Sequence, residues 1–286
     1  MIGEKRSAKS PISRMNRLAE DEVDQGLLEK IRKDIQKSGF PLEIEVTSIL
    51  TKDGWGVVVH DYYIDEEESK PREMDVSAYK RFEASKDKRT SNYDVLRVSL
   101  VVECKKSDKP WVFYMTKKGG EFDFPTHLVK VLGKPSISHN RSFSEMWMKR
   151  THYFLPALQE KAVIPYEPFK RPNDRQQVFE STMQVVKATA YHMKENRKLV
   201  EWELKNALYL IYPIIVFDGN LFKYTSDEEL RTSEYLQYLT NFRFADRDMA
   251  NLVGDRFLID VLRKDYLPTY LKMLKDELVT ISNLIQ

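Results

Sequence analysis

At 286 residues, with 42% hydrophobic and 31% charged side chains, the chain is long enough to bury a large core, as one elaborated domain or two. Its 46 basic and 44 acidic residues nearly cancel, which excludes a global polybasic signal for nucleic acid or membrane and leaves such binding to local patches. No apolar run reaches the roughly 18 residues of a membrane helix, no apolar leader opens the chain, and one cysteine excludes an internal disulfide or a cysteine-rich zinc site; a cytoplasmic location without a membrane partner is expected.

Residues 1–17 carry Lys5, Arg6, Lys9, Arg14 and Arg17 among Ser, Pro and Gly, the composition of a flexible basic arm. Over 18–37, Val23, Leu27, Leu28, Ile31 and Ile35 recur at helical spacing, and Gly39 ends the run. Pro41 opens a second helix, predicted to reach about residue 53 and to stop at Gly54. Leu42, Val46, Ile49 and Leu50 form its buried stripe, with Glu43 and Glu45 on the two edges, so that either carboxylate can turn into a site at a neighbouring sheet.

A Val- and aromatic-rich strand over 55–63, a charged turn over 65–71 and a strand over 72–80 follow. Alternation puts Glu73, Asp75, Ser77 and Tyr79 on one face of the second strand and Met74, Val76 and Ala78 on the other. A polar loop carrying Arg81, Lys86, Lys88 and Arg89 leads to the run 96–106, in which aliphatic residues give way abruptly to Glu103-Cys104-Lys105-Lys106. That is the pattern of a buried strand whose end opens into a polar site. Glu103 and Lys105 leave one face, about 6.6 Å apart along the strand, while Cys104 points away as a small buried apolar residue. Two strands joined by such a loop pair best as antiparallel neighbours, bringing Asp75 beside Glu103.

Beyond residue 116 the pattern weakens. Gly119-Gly120, a series of prolines and a helical piece near 143–158 suggest that 116–173 is an insertion or small subdomain. Asp174 reads as the cap of a long helix to about 198, residues 209–217 as an apolar strand, and 221–224 as a hairpin arm after Asp218-Gly219-Asn220. Helices are expected around 226–239 and 255–284. The organisation expected is therefore an arm (1–17), a first core part (18–115), the insertion (116–173), the rest of the core (174–225) and a helical extension (226–286).

Three acid-x-Lys triplets occur, at Glu68, Glu103 and Glu203, and only Glu103-Cys104-Lys105 ends a buried strand. A carboxylate for a hard cation, a lysine to orient water and a second carboxylate at Asp75 make a minimal phosphodiester-cleaving set. A salt-bridged cluster of the same groups is the structural alternative, at a desolvation cost with no evident return. The five histidines show no short ligand spacing and read as surface or packing residues, and no Gly-rich phosphate loop is present.

Helix carboxylate, strand Asp75 and strand Glu103-x-Lys105, in that order, resemble the PD-(D/E)XK nuclease superfamily, with its Mrr-type and Holliday-junction-resolvase-like members. The resemblance covers residues 41–106 by motif and the later helix and strand by element order; Met74 stands where that family often has proline. It implies an α/β, restriction-endonuclease-like fold with a mixed sheet flanked by helices. Asp75, Glu103 and the Cys104 carbonyl would then hold Mg²⁺, with Mn²⁺ as substitute, and Lys105 would orient the attacking water. Glu43, at the family spacing before Gly54-Trp55, is the helix carboxylate it prefers. The expected activity is a DNA endonuclease, with RNA as another substrate, in the restriction or anti-phage roles this superfamily takes. Arg81, Lys86, Lys88, Arg89 and Lys106 are the expected backbone-binding cations, and a homodimer or partner subunit would serve double-strand cutting. The competing reading is a non-catalytic nucleic-acid-binding or assembly subunit.

Overall fold

The structure, a computed structural model, describes residues 24–65, 67–83, 95–116, 129–132, 160–171, 174–203 and 207–285. Two units are distinguished, residues 1–41 and 42–286. In the first, α1 (Gln25–Lys37) is started by the Asp24 carboxylate, which accepts the Gly26 N–H at 2.8 Å, and buries none of its residues.

α2 (Phe40–Lys52) buries Leu42, Glu43, Val46 and Leu50, the expected stripe plus one glutamate. It ends where Gly54 takes a left-handed φ of 80°, a conformation that costs glycine nothing. Lys80 clamps this end, donating to the Asp53 carbonyl at 2.7 Å and to Oδ2 at 3.0 Å, with its ammonium 4.6 Å from the centre of the Trp55 ring.

β1 (Gly56–Asp65), β2 (Lys70–Glu83) and β3 (Val95–Lys106) form an antiparallel meander, and the long helix α3 (Gln177–Glu203) leads to β7 (Ala207–Asp218), which lies parallel to β3. The order expected from the sequence, helix, three strands, helix, strand, is met only in part, since three further strands stand between β3 and α3. The chain is thus a mixed α/β protein, with eleven strands in one mixed sheet among the described residues. The remaining strands are β4 (Trp111–Thr116), β5 (Val129–Leu132), β6 (Lys161–Tyr166), β8 (Leu221–Tyr224), β9 (Leu230–Thr232), β10 (Tyr235–Asn241) and β11 (Arg256–Arg263). The path runs β1-β2-β3-β7-β11-β10-β6-β4-β8-β9, and β5 pairs β7 beside it. β7 changes partner along its length, from β5 at Ala207 to Leu210 to β11 at Ile214 to Phe217. Pro213, which has no N–H to give a ladder, falls in the gap.

One apolar cluster joins α3 to Val101, Ile211, Ile215, Phe217 and Ile259. The other joins α2 and the C-terminal α5 (Leu267–Ile285) to Val98, Leu100, Val102, Leu210, Ile214 and Leu258. β3 and β7 are covered on both faces, which is why their sequences run nearly without polar interruption.

Four expectations are corrected. The stretch 226–286 is not a helical extension: it supplies β9, β10 and β11 to the sheet, the short helix α4 (Arg247–Val253) and only then α5. Short apolar runs such as Phe257-Leu258-Ile259 fit a buried strand as well as a helix, and periodicity alone cannot separate them; Pro268 marks the true helix start. Within 116–173, β5 and β6 are members of the main sheet rather than of a separate subdomain, and the helical piece near 143–158 lies outside the described residues. Asp174 does not cap α3; the Glu167 carboxylate accepts the Val178 N–H at 2.8 Å instead. Finally, β8 pairs β4 and β9, not β7.

Beyond β3, the Ser107 N–H donates to the Asp218 carbonyl at 3.1 Å and the Trp111 N–H to the Asn220 carbonyl at 2.9 Å. Trp111 stacks on Phe217 at 4.0 Å between ring centres. Gly219 is required here, because a Cβ would lie 2.7 Å from the Ser107 carbonyl oxygen and 2.5 Å from the Phe217 ring. Among the described residues, no helix is long and apolar enough to cross a membrane.

Candidate active site

The β2–β3 ladder runs from Glu83↔Val95 to Val76↔Val102 and stops. At the next residue the Asp75 side chain takes over, its Oδ2 accepting the Cys104 N–H at 2.7 Å. A backbone donor released by the parting strands is thereby satisfied by a carboxylate. On its other side the β1–β2 pairing passes from Val59↔Val76 to Asp61↔Met74, and the residue between on β1, His60, has a φ of 50°. Met74 joins the α3-side cluster whereas Val76 and Ala78 join the other, so the single face expected for these three is broken at Asp75.

Glu103 lies on β3 beside this gap and is 2% exposed. Its Oε1 is 2.8 Å from the Lys105 ammonium. Burial first, then the charge of Asp75, push its pKa up to about 8 against the pull of Lys105. Asp75 is raised too, by burial, although the Cys104 N–H and Lys105 oppose it. Burial works against the Lys105 ammonium, but Glu103 and Asp75 outweigh it and raise its pKa.

Glu43 comes from α2, 9% exposed, and its carboxyl is raised by burial and by Asp75, with His60 and Lys105 opposing. Glu45 turns elsewhere, 3.5 Å from Lys264. Of the two edge glutamates, then, Glu43 is the one that reaches the strands. His60 bridges its neighbours: Nε2 is 3.2 Å from Glu43 Oε2, and Nδ1 contacts Glu73 Oε1. Neither His60 as a bridge nor Glu73 as its partner follows from spacing, although Glu73 does share the alternation of Asp75.

Three carboxylates with raised pKa values thus face one lysine. Two of their oxygens are already met by basic groups, Oε2 of Glu43 by His60 Nε2 at 3.2 Å and Oε1 of Glu103 by the Lys105 ammonium at 2.8 Å. All the donors are oxygens, which suit Mg²⁺ or Mn²⁺ rather than zinc. Among the described residues, no three His, Cys, Asp or Glu side chains stand close enough together to hold a metal ion as placed. The Cys104 thiol is buried in the second cluster and pushed well up by burial, which makes it an apolar residue rather than a nucleophile.

Of the cations expected to grip a backbone, Lys106 is exposed at the end of β3, in register with Asp218. Arg81 lies six residues up β2 from Asp75, about 20 Å along the strand, and is not brought to the site. Lys86, Lys88 and Arg89 lie outside the described residues.

Fold and site together define an α/β protein with a buried carboxylate–lysine centre where two antiparallel strands part. Comparison with protein-family models, with curated proteins and with solved structures returns no match.

Proposed function

We propose that the protein is a Mg²⁺-dependent nuclease of the PD-(D/E)XK type, hydrolysing phosphodiester bonds in DNA as an endonuclease. The observation that carries this reading is the joining of Asp75 to the Glu103-Cys104-Lys105 strand end through the 2.7 Å bond from the Cys104 N–H, with Lys105 2.8 Å from Glu103. The antiparallel β1–β2–β3 meander and the parallel pairing of β3 with β7 support the same reading.

A divalent cation held by Asp75, Glu103, Glu43 and the Cys104 carbonyl would neutralise the attacked phosphate and acidify a water. Lys105 orients that water and balances the charge that builds on the phosphate. Asp75 stays fixed through its hydrogen bond to Cys104, so one carboxylate oxygen is spent on position and the other remains for chemistry. Glu103 must shed its proton to act as a ligand, and the pKa of about 8 makes its ligation steeply pH-dependent.

The test is incubation of purified protein with plasmid, linear and branched DNA, and with RNA, in Mg²⁺ or Mn²⁺. Asp75→Asn and Lys105→Ala serve as controls. Cleavage lost in both variants is expected; cleavage retained in both would mark a contaminant and refute the assignment.

A second reading has its own observation. The Lys105–Glu103 ion pair and the Asp75–Cys104 bond already satisfy much of the centre, as a non-catalytic nucleic-acid-binding or assembly subunit would have it. Salt-dependent DNA binding that ignores EDTA, with no cleavage of any substrate, favours that reading.

A further inference from the structure

The segment between β6 and α3 is fastened to the start of α3 from two sides. Glu167 Oε1 accepts the Val178 N–H at 2.8 Å, and Glu167 Oε2 lies 3.5 Å from the Lys170 ammonium. Asp174 Oδ2 accepts the Arg171 N–H at 3.0 Å and contacts Lys109 Nζ. Between these fastenings stands Phe169, with a φ of 62° and 82% of its surface exposed. A left-handed backbone strains any residue with a Cβ, and strain of this kind persists only where the surroundings enforce it. Here the exposed ring returns no packing to the fold. Phe179, beside the capped Val178, is 56% exposed, and Arg171 and Arg175, two residues after Phe169 and four before Phe179 in the chain, are exposed as well.

Two links run from this segment toward the candidate centre. Lys109 follows Lys105 by four residues, and Glu180, the residue after Phe179, is close enough to act on the Lys105 charge. Open aromatic faces flanked by guanidinium groups are what unstacked nucleobases bind: the rings take the bases and the cations take the backbone. A duplex, whose bases are already stacked, has no face to offer.

Building on the nuclease reading, we propose that Phe169 and Phe179, flanked by Arg171 and Arg175, form a platform for unpaired nucleobases, so that the preferred substrate carries a single-stranded stretch next to the scissile phosphate. The strain at Phe169 is then the expense of presenting a ring outward at a fixed place.

The test uses the full chain in EDTA, where nothing is cut. Fluorescence anisotropy would measure its binding to labelled single-stranded DNA, single-stranded RNA and duplex DNA. Single strands are expected to bind more tightly than duplex, and the DNA and RNA arms identify which polymer is taken. Phe169→Ala is expected to weaken single-strand binding about tenfold, within the range of one lost base–aromatic stack, and to leave duplex binding unchanged. Phe169→Trp should retain binding, with its indole emission quenched by the bases. Phe169→Gly separates function from folding: it relieves the left-handed strain and should raise the melting temperature while losing single-strand affinity. Equal single-strand affinity in wild type and Phe169→Ala overturns the platform, as does an equal loss on duplex, or binding of an acidic apolar peptide in place of any nucleic acid. Phe169-dependent binding without cleavage under Mg²⁺ would leave the platform standing and remove the nuclease reading alone.

Discussion

Replacing Glu103 by glutamine should make the metal-free protein more stable at alkaline pH, by an amount that can be worked from the site. The folded-state pKa is about 8 against an ordinary 4.5, raised by burial and by Asp75. A raised carboxylate binds its proton more tightly in the folded than in the unfolded chain. Its stability contribution is therefore complete below pH 4.5 and is lost as pH rises toward 8. The gap of about 3.5 pH units, at about 1.36 kcal/mol each, gives roughly 5 kcal/mol as the ceiling above pH 8. Glutamine keeps the shape and cannot ionise. The difference in unfolding free energy, Glu103→Gln minus wild type, should therefore climb between pH 5 and 8 with a limiting slope of about 1.4 kcal/mol per pH unit. Urea denaturation in EDTA at several pH values in that interval measures it. Added Mg²⁺ should raise the stability of wild type at pH 8 more than that of the variant. A difference that stays flat from pH 5 to 9 would refute the claim that Glu103 is a strained, buried acid.

Asp75 separates position from chemistry: Asp75→Asn keeps an acceptor for the Cys104 N–H and, because burial raises the Asp75 carboxyl, should be no less stable than wild type at neutral pH. Asp75→Ala should lose about 1–3 kcal/mol for the orphaned donor, and cleavage assays should find both inactive. Glu43→Gln should reduce metal-dependent cleavage at least about tenfold in single-turnover assays, a lost transition-state contact of roughly 1.4 kcal/mol, while Glu45→Gln, bound to Lys264 outside the centre, should not. Lys161 is fully buried against Gln237 and burial brings its pKa down to about 7, with Asp260 opposing. That group's contribution is present above pH 10.5 and lost as pH falls to 7, so Lys161→Met should stabilise by about 2–5 kcal/mol at pH 7, with the gain shrinking toward pH 10 in urea titrations. Gly219→Ala should cost about 1–3 kcal/mol in thermal unfolding, because its Cβ meets the Ser107 carbonyl.

Much of the centre was legible because it lies where local patterns change. The abrupt end of an aliphatic run at Glu103, the alternation that carries Asp75, and the choice of Glu103-Cys104-Lys105 among three triplets all depend on neighbours one or two residues away. The antiparallel pairing of β2 with β3 followed from the same patterns and is what the structure has. The choice between Glu43 and Glu45 was not settled by periodicity, since both flank the buried stripe of α2; it was settled by how that helix crosses the sheet, which leaves Glu43 buried and Glu45 beside Lys264. By spacing alone His60 reads as an ordinary surface or packing residue. Its bridge between Glu43 and Glu73 joins an α-helix to a strand across a backbone kink, and no spacing rule contains that geometry.

The C-terminal region shows the opposite failure. Tyr235–Asn241 and Arg256–Arg263 are interior strands of the sheet, yet their short apolar runs match a buried helix equally well, so only their partners identify them. By itself the sequence determined what a window of a few residues contains: the stop of α2 at Gly54, the covered strands, the switch from apolar to charged at Glu103. Only the tertiary structure decided which carboxylates meet there and at what protonation, because burial and mutual repulsion depend on distances between α2, β2 and β3 that local periodicity does not specify.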